Sequence, residues 1–355
     1  MKTIKIGDQN VRDGFPALSI AEAGCNHNGD LHLARRLIDS AADANADLVK
    51  FQSYHAEKMY SKQTPIMRHF RERMGFGEDA TMFDLIKATE LPYEYHEPIY
   101  AHCRQRSIPF VSTPFDEETV GFLEKFSPPM YKVASFELVH FPLIRRIAQT
   151  GKPIVLSTGM ADLGDIEAAL RTIEREIEPQ VVLLHCVSNY PAMPEDYNLK
   201  TIDTLKRAFN FPVGISDHTP GVETALIAVA SGANLVEKHI TVDKSLPGPD
   251  HHFSLDSQEL HDLVSGVRRV EAMLGSPIKR CVQAELNMKN IGRRSLVAAI
   301  DIEAGEIVTP EFISIKRPGS GLHPMHLETI VGARAEVDIR ADTPLQWDHF
   351  LIRNQ

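Results

Sequence analysis

Two runs, Phe211-Pro-Val-Gly-Ile-Ser-Asp-His-Thr219 and Ala233-Asn-Leu-Val-Glu-Lys-His-Ile-Thr241, decide how this chain is read. Each is short, apolar and β-branched, and is followed by a helical stretch, which is the pattern of a buried parallel strand. His218 and His239 stand at their C-terminal ends. On neighbouring strands the two imidazoles converge at one end of a sheet, and a pair of neutral imidazoles suits a divalent transition metal. Glu237 lies two residues before His239 and so on the same strand face. The alternative is two hydrogen-bonded core histidines.

Working outward, six more runs read as strands: Leu18–Ala23, Leu48–Gln52, Ile108–Ser112, Met130–Ala134, Pro153–Ser157 and Val181–Cys186. With Pro212–Ser216 and Asn234–His239 they make eight. Amphipathic helical segments such as Leu31–Ala44, Tyr93–Arg106 and Leu163–Glu176 lie between most of them. Asp165-Ile166-Glu167 places acids at one helix start, as the dipole favours. This alternation predicts an α/β fold, a closed (β/α)8 TIM barrel. A doubly wound open sheet is the alternative, weakened because no G-x-G-x-x-G follows the first strand. The stretch between Gln52 and Tyr93 is too long for a simple connection and is expected to fold over the barrel mouth, unless it is a solvated excursion. Past residue 240 the pattern changes to one long helix, a polar stretch, and short β-like segments punctuated by Gly, Pro and Asp. The expected division is a barrel at 1–280, a linker at 281–293 and a small β-rich domain at 294–355. A domain that small is marginal on its own core.

Composition narrows the function. The 355 residues carry a formal net charge of −10, with 43% hydrophobic and 24% charged residues. No basic stripe exists to neutralise phosphates of nucleic acid, so no nucleic-acid partner is expected. No apolar run approaches the roughly 18 residues that span a membrane. The N-terminus lacks the apolar core of a signal peptide. The four cysteines, Cys25, Cys103, Cys186 and Cys281, are dispersed, which fits free thiols in a reducing cytoplasm. Cys25 and Cys186 fall near the proposed site and read as buried fillers rather than nucleophiles.

In such a barrel, polar residues at strand C-termini carry the chemistry. Nearly every strand here ends in one: Glu22; Lys50 and Gln52; Ser112 and Thr113; Lys132, with Ser135 and Glu137 beyond; Ser157; Ser188, Asn189 and Tyr190; Ser216, Asp217 and His218; Glu237 and His239, with Asp250 in the following loop. Two lysines among hydroxyls describe an anion site for a phosphorylated or carboxylated ligand. A buried lysine without an anion is costly or loses its proton. Internal pairing with Glu22 and Glu137 is the bland alternative, and a Schiff-base aldolase the reactive one. His251 and His252 follow Asp250 without an assigned role.

At these residues the chain resembles the sialic acid synthase family of N-acetylneuraminate and related nonulosonic acid synthases. The matching stretches are A-E-A-G-C-N-H-N-G, A-D-L-V-K-F-Q, S-T-P-F-D, Y-K-V-A-S-F-E, L-S-T-G-M, L-H-C-V-S-N-Y-P, G-I-S-D-H-T, V-E-K-H-I-T and P-G-P-D-H. The C-terminal A-I-D-I-E-A-G-E and I-K-R-P-G-S-G resemble the antifreeze-like (SAF, β-clip) domain that ends these synthases. The resemblance implies condensation of phosphoenolpyruvate with an N-acetylated hexosamine and water, giving a nine-carbon 2-keto sugar acid and phosphate. Legionaminic and pseudaminic acid synthases share the scaffold, so the acceptor is N-acetylmannosamine or a 2,4-diacetamido-2,4,6-trideoxyhexose. By the same resemblance His218 and His239 hold a divalent ion, manganese by preference, with magnesium or cobalt as alternatives. Lys50, Thr113, Lys132, Ser135, Ser157 and Ser216 hold phosphoenolpyruvate. Glu22 or Glu137 is the general base beside the catalytic lysines Lys50 and Lys132. Gln52, Tyr190 and Asp250 face the acceptor, and Ser188, Asn189 and Glu237 complete the substrate set. Arg317 is delivered to the partner's site in a domain-swapped homodimer. The chain departs from the neuraminate pattern at Ser188, where an asparagine is expected and Asn189 is displaced by one, and within R-M-G-F-G-E-D-A-T, where an acceptor-binding asparagine has no clear match. Rival readings are an aldolase using pyruvate on the same barrel, and a non-catalytic sugar-acid binder.

Overall fold

The computed structural model describes residues 2–351 and divides into two units, Met1–Gly275 and Ser276–Gln355. The chain opens with a hairpin, β1 (Ile4–Ile6) and β2 (Gln9–Val11), paired antiparallel across a turn where Gly7 takes φ 57°. Eight strands follow: β3 (Leu18–Gly24), β4 (Leu48–Ser53), β5 (Phe110–Pro114), β6 (Tyr131–Val133), β7 (Ile154–Ser157), β8 (Val181–Cys186), β9 (Val213–Asp217) and β10 (Leu235–His239). They pair in parallel in the order β5-β4-β3-β10-β9-β8-β7-β6. β5 and β6 lie side by side and bring the ring nearly to closure. The eight expected strands are thus all present and form a barrel, not an open sheet.

Each strand is buried on both faces, which is why it reads as a continuous apolar run. The outward face packs against helices such as Leu31–Asp43, His96–Gln105, Leu163–Glu174 and Ser257–Leu274 in one large core. Asp30, Asp162 and Asp256 cap three of these helices, with side-chain oxygens accepting from the first free backbone N–H groups. The inward face forms a second cluster. Ile4, Ile6 and Val11 of the hairpin join Leu18, Ile20, Leu48, Val111, Met130, Val155, Val182, Leu184 and Leu235 there. The hairpin therefore plugs the N-terminal end of the barrel. It was not expected from the sequence, although I-K-I-G-D-Q-N-V carries the alternation and the turn glycine of a hairpin.

The long connection after β4 folds into three short helices, Ala56–Met59, Arg68–Met74 and Met82–Ala88. Phe70, Met82 and Leu85 are buried as a small core of its own, with Tyr60, Ile66, Met74 and Phe76 packed around them. It is a folded lid segment, not a solvated excursion.

In the second unit β11 (Ser295–Ala298) pairs antiparallel with β12 (Ile313–Lys316), and β13 (Arg334–Ala335) with β14 (Phe350–Leu351). Leu296, Ile302, Val308, Ile330, Ile339, Leu345 and Phe350 make its core. Where a polar linker is expected at 281–293, a helix spans Leu286–Gly292. Leu-Asn-Met-Lys-Asn-Ile has helix-compatible propensity without needing a buried face, and its side chains are exposed. Among the described residues no helix is long and apolar enough to cross a membrane.

Candidate active site

The strand C-termini open into one cavity of about 600 Å³. Glu22, Lys50, Gln52, Thr113, Lys132, Ser135, Glu137, Ser157, Ser188, Asn189, Tyr190, Ser216, His218, Glu237, His239 and Asp250 line it, whereas Ser112, bonded to Ser53, and Asp217, paired with Lys238, do not. Register explains the convergence. Glu22 pairs with Lys50 and with His239, Gln52 with Thr113, and Glu237 with Ser216 on adjacent strands. Arg317, the candidate in the second unit, is exposed there, its Nε donating to the Gly292 carbonyl at 2.7 Å.

At the floor, Lys50 Nζ lies 2.6 Å from Glu22 Oε2 and 3.6 Å from Glu237 Oε2, and donates to Thr113 Oγ1 at 3.0 Å. Lys132 Nζ lies 3.5 Å from Glu237 Oε1 and donates to the Val133 carbonyl at 3.3 Å. Ser216 Oγ donates to Glu237 Oε1 at 3.0 Å, and Gln52 Nε2 to Glu22 Oε1 at 2.8 Å. Both lysines are only 3% exposed, so each charge depends wholly on these partners. Burial pushes Lys132 down despite Glu237, whereas for Lys50 burial is overcome by Glu22 and Glu237 and its pKa rises. Burial also pushes the Glu22 carboxyl up to about 7, against the pull of Lys50. Glu237 experiences the same burial, but Lys132 and Lys50 together hold it below its ordinary value. Burial raises Glu137 as well.

The expected internal pairing is real for Glu22 and Lys50, but it leaves Lys132 with long contacts and Ser157 Oγ buried without a partner. Those are donors waiting for an acceptor, as an anion site requires. Gly159, which the strand reading passed over, makes the site possible. A Cβ there would collide with Ser188 Oγ and come within 2.8 Å of Ser135 Oγ. Its N–H donates to Ser135 Oγ at 3.0 Å. The signal was present as the glycine of L-S-T-G-M directly after a strand.

The His218 and His239 rings stand 5.5 Å apart between centroids, with Phe253 packed against both. His218 Nδ1 lies 2.8 Å from the Val187 carbonyl. A carbonyl only accepts, so Nδ1 carries the proton and Nε2 presents a lone pair, as an oriented metal ligand does. His239 Nδ1 is buried without a hydrogen-bond partner, 3.5 Å from Asp250 Oδ2. Gly24 (φ 52°) leaves room for that ring: a Cβ there would stand 3.1 Å from His239 Cε1. An unsatisfied, desolvated imidazole beside an oriented one fits a divalent cation. Among the described residues no three His, Cys, Asp or Glu side chains converge to hold an ion by themselves. Cys25 and Cys186 are buried on the cavity wall, and burial raises the Cys25 thiol well above its ordinary value beside Asp250. His251 is neutral structure: it bonds Thr241 Oγ1 at 2.7 Å, and burial pushes it down to about 4.

The cavity roof was not anticipated residue by residue. The lid segment contributes Met59, Tyr60, Met67, His69, Phe70, Met82, Leu85, Ile86 and Thr89, facing Phe136 and Met160.

Comparison with known proteins gives the family. Residues 37–279 match the NeuB family and residues 293–351 the SAF domain. The chain is 41% identical over 327 residues to an N,N'-diacetyllegionaminic acid synthase of Campylobacter jejuni, covering 92% of this chain and 97% of that one. It is 36% identical to a pseudaminic acid synthase of the same species, covering 93% and 96%. The crystal structure of spore coat polysaccharide biosynthesis protein SpsE from Bacillus subtilis superimposes with TM-score 0.67 at 37% identity, covering 99% and 100%. An N-acetylneuraminic acid synthetase from Leptospira borgpetersenii, crystallised with citrate, gives TM-score 0.70 at 36% identity, covering 81% and 95%. The chain belongs to the NeuB family and ends in an SAF domain.

Proposed function

We propose that this barrel condenses phosphoenolpyruvate with the open-chain aldehyde of an N-acetylated amino hexose, releasing phosphate and a nine-carbon 2-keto sugar acid. The observation that carries the reading is the floor of the cavity: two fully buried lysines and a ring of hydroxyls beside two imidazoles. Lys50 and Lys132 hold the donor's phosphate and carboxylate, with Thr113, Ser135, Ser157 and Ser216 donating to its oxygens. That geometry positions donor C3 against the acceptor aldehyde, and orientation supplies much of the rate. A C–C bond forms there, water adds at donor C2, and the C2–O bond to phosphate breaks. Developing positive charge at C2 is stabilised by the carboxylates of Glu22 and Glu237. Glu22 or Glu137 takes the proton of the attacking water; both carboxyls line the cavity with pKa values raised by burial, which suits a base near neutral pH. Gln52, Ser188, Asn189, Tyr190 and Asp250 orient the acceptor.

Between His218 and His239 a divalent cation, manganese by preference, would supply Lewis-acid polarisation of a carbonyl oxygen. We further infer a domain-swapped homodimer in which Arg317 reaches the partner's cavity. Exposed apolar side chains on the loops and helix starts that follow three adjacent strands, Phe136, Val139, Phe141, Met160, Leu163 and Met193, support a covered mouth. A cytoplasmic location fits the free thiols.

Phosphate release from phosphoenolpyruvate, with manganese and an N-acetylated acceptor, tests the reaction. Release that depends on both acceptor and metal is expected. No release with any acceptor, from folded and metal-loaded protein, refutes it. If Glu22→Gln and Glu137→Gln both leave turnover intact, neither is the base.

A further inference from the structure

Two stretches with no part in the chemistry above, Asn26-His-Asn28 after β3 and the residues His251 and Ser254 after Asp250, meet behind the cavity wall. The chain leaves β10 at His239 and returns to it at Leu255, whose N–H donates to the His239 carbonyl at 2.8 Å. Residues 242–254 between them form neither helix nor strand, so no ladder of backbone bonds fixes where Asp250 stands. Side chains do this instead. Ser254 Oγ donates to the Asp250 carbonyl at 2.7 Å, and Asn26 Nδ2 donates to Ser254 Oγ at 2.9 Å and to the Ile240 carbonyl at 2.8 Å. Asn28 Nδ2 donates to the Pro247 carbonyl at 3.0 Å, which leaves its Oδ1 to accept from His251 Nε2 at 3.2 Å. His251 Nδ1 then accepts from the Thr241 hydroxyl at 2.7 Å. Gly248 makes room for the ring: a Cβ there would stand 2.5 Å from His251 Cδ2. Asn26, Thr241, His251 and Ser254 are 0% exposed, so a lost bond leaves a buried group unpaired. None of these side chains lines the cavity. Asp250 does, and its Oδ2 accepts from the Cys25 thiol at 3.4 Å.

We propose that His251 and Ser254 are positioning residues: with Asn26 and Asn28 they clasp the loop after β10 to the loop after β3, and so fix Asp250 where the acceptor sugar binds. The inference rests on the condensation reading above, which sets Asp250 against the acceptor, and adds to it residues that touch no substrate. Hydrogen bonds from a sugar to a carboxylate are directional, so the place of that carboxylate decides how well they form. A misplacement of about 1 Å costs about 10²-fold. The donor end stands on other elements. Lys50, Thr113, Lys132, Ser157 and Ser216 lie on or directly after β4, β5, β6, β7 and β9, and none of them depends on the clasp. Loosening it should therefore weaken one substrate and spare the other.

Initial rates of phosphate release would be measured against each substrate in turn, with N-acetylmannosamine or 2,4-diacetamido-2,4,6-trideoxymannose as acceptor, whichever the wild type turns over faster. His251→Phe keeps a ring and loses both of its bonds; Ser254→Ala loses the bond to the Asp250 carbonyl. Each should raise KM for the acceptor by about 10- to 100-fold while KM for phosphoenolpyruvate stays within about twofold. His251→Gln, whose Nε2 still donates to Asn28, should recover most of the loss. Asp250→Ala should be as impaired as the double variant Ser254→Ala/Asp250→Ala, because without the carboxylate nothing is left to position. If His251→Phe does not fold, Ser254→Ala carries the same test alone. An unchanged acceptor KM in the folded variants, whatever their melting temperature, makes the clasp scaffold only and overturns the proposal. Equal losses on both substrates, or additive losses in the double variant, overturn it as well. A wild-type acceptor KM in Asp250→Ala removes Asp250 from the acceptor site and this proposal with it, while the condensation reading stands. No phosphate from folded, metal-loaded wild type with either sugar, nor with the altrose isomer of the second, defeats both.

Discussion

The two ends of the barrel use the same eight strands and the same inward period of two, yet they are different materials. At the N-terminal end the inward positions are Leu18, Ile20, Leu48, Val111, Val155, Val182 and Leu235, sealed by Ile4, Ile6 and Val11. Two residues further along the same faces stand Glu22, Lys50, Thr113, Ser157 and Glu237. One end contributes burial, and the other accepts desolvated charge that this burial has to carry. β10 repeats the contrast across its thickness. Glu237 and His239 face the cavity, while Lys238 between them points outward to Asp217 at 2.6 Å. Asp217 in turn accepts from the Thr219 N–H and hydroxyl, and the Lys238 ammonium also meets the Thr219 carbonyl. That lysine is closed by the protein, whereas Lys132 is left open for a ligand.

The sharpest way to break the comparison is to remove each lysine in turn. Lys132→Met should lower kcat/KM by about 10²- to 10³-fold, the scale of losing one preorganised charged donor. Its Tm should hold or rise, because a poorly paired buried charge is removed. Steady-state kinetics and a thermal melt check both halves, and intact activity would mean Lys132 is structural. Lys238→Met should do the reverse. It strands Asp217, 0% exposed, at a cost of about 3–5 kcal/mol, with turnover per folded molecule retained. A melt unchanged from wild type would show that this pair does not hold the barrel.

The plug is next. Ile6→Ala deletes a side chain that is 2% exposed and should cost about 2–5 kcal/mol in urea unfolding. KM for phosphoenolpyruvate should stay put, since the cavity lies at the other end. A tenfold rise in KM would couple the two ends and defeat the division drawn between them.

How much of this was legible follows the same division. The eight strands and their inward polar tips could be read because burial on both faces forces apolar runs, and a polar residue ending such a run stands out. The hairpin was missed because three-residue strands offer too few positions for alternation to register against background. The lid segment's length marked it as functional, but its helices are four and seven residues long, below what periodicity can resolve. Gly159 is legible as a turn glycine after a strand, but not as a requirement of the site. Its need for space comes from Ser135 and Ser188, which lie on other strands' loops and meet it only in the closed barrel.

The smallest expected effect is a pH dependence that opposes the rest of the molecule. His27 and His96 are buried and pushed down to about 4, so both are neutral in the fold. Their contribution is present above the unfolded value near 6.5 and is lost as pH falls through about 4. Glu22 runs the other way. Its folded pKa of about 7 exceeds the unfolded 4.5, so its contribution is whole below 4.5 and is lost as pH rises through about 7. Glu22→Gln removes only that second slope. The variant's Tm relative to wild type should therefore climb by a few degrees between pH 4.5 and pH 7, an effect on the order of 1–3 kcal/mol. A flat difference would mean that Lys50 keeps Glu22 ionised throughout. The mouth would then be a set of closed ion pairs like Lys238–Asp217, and its contrast with the rest of the barrel would shrink to Lys132 alone.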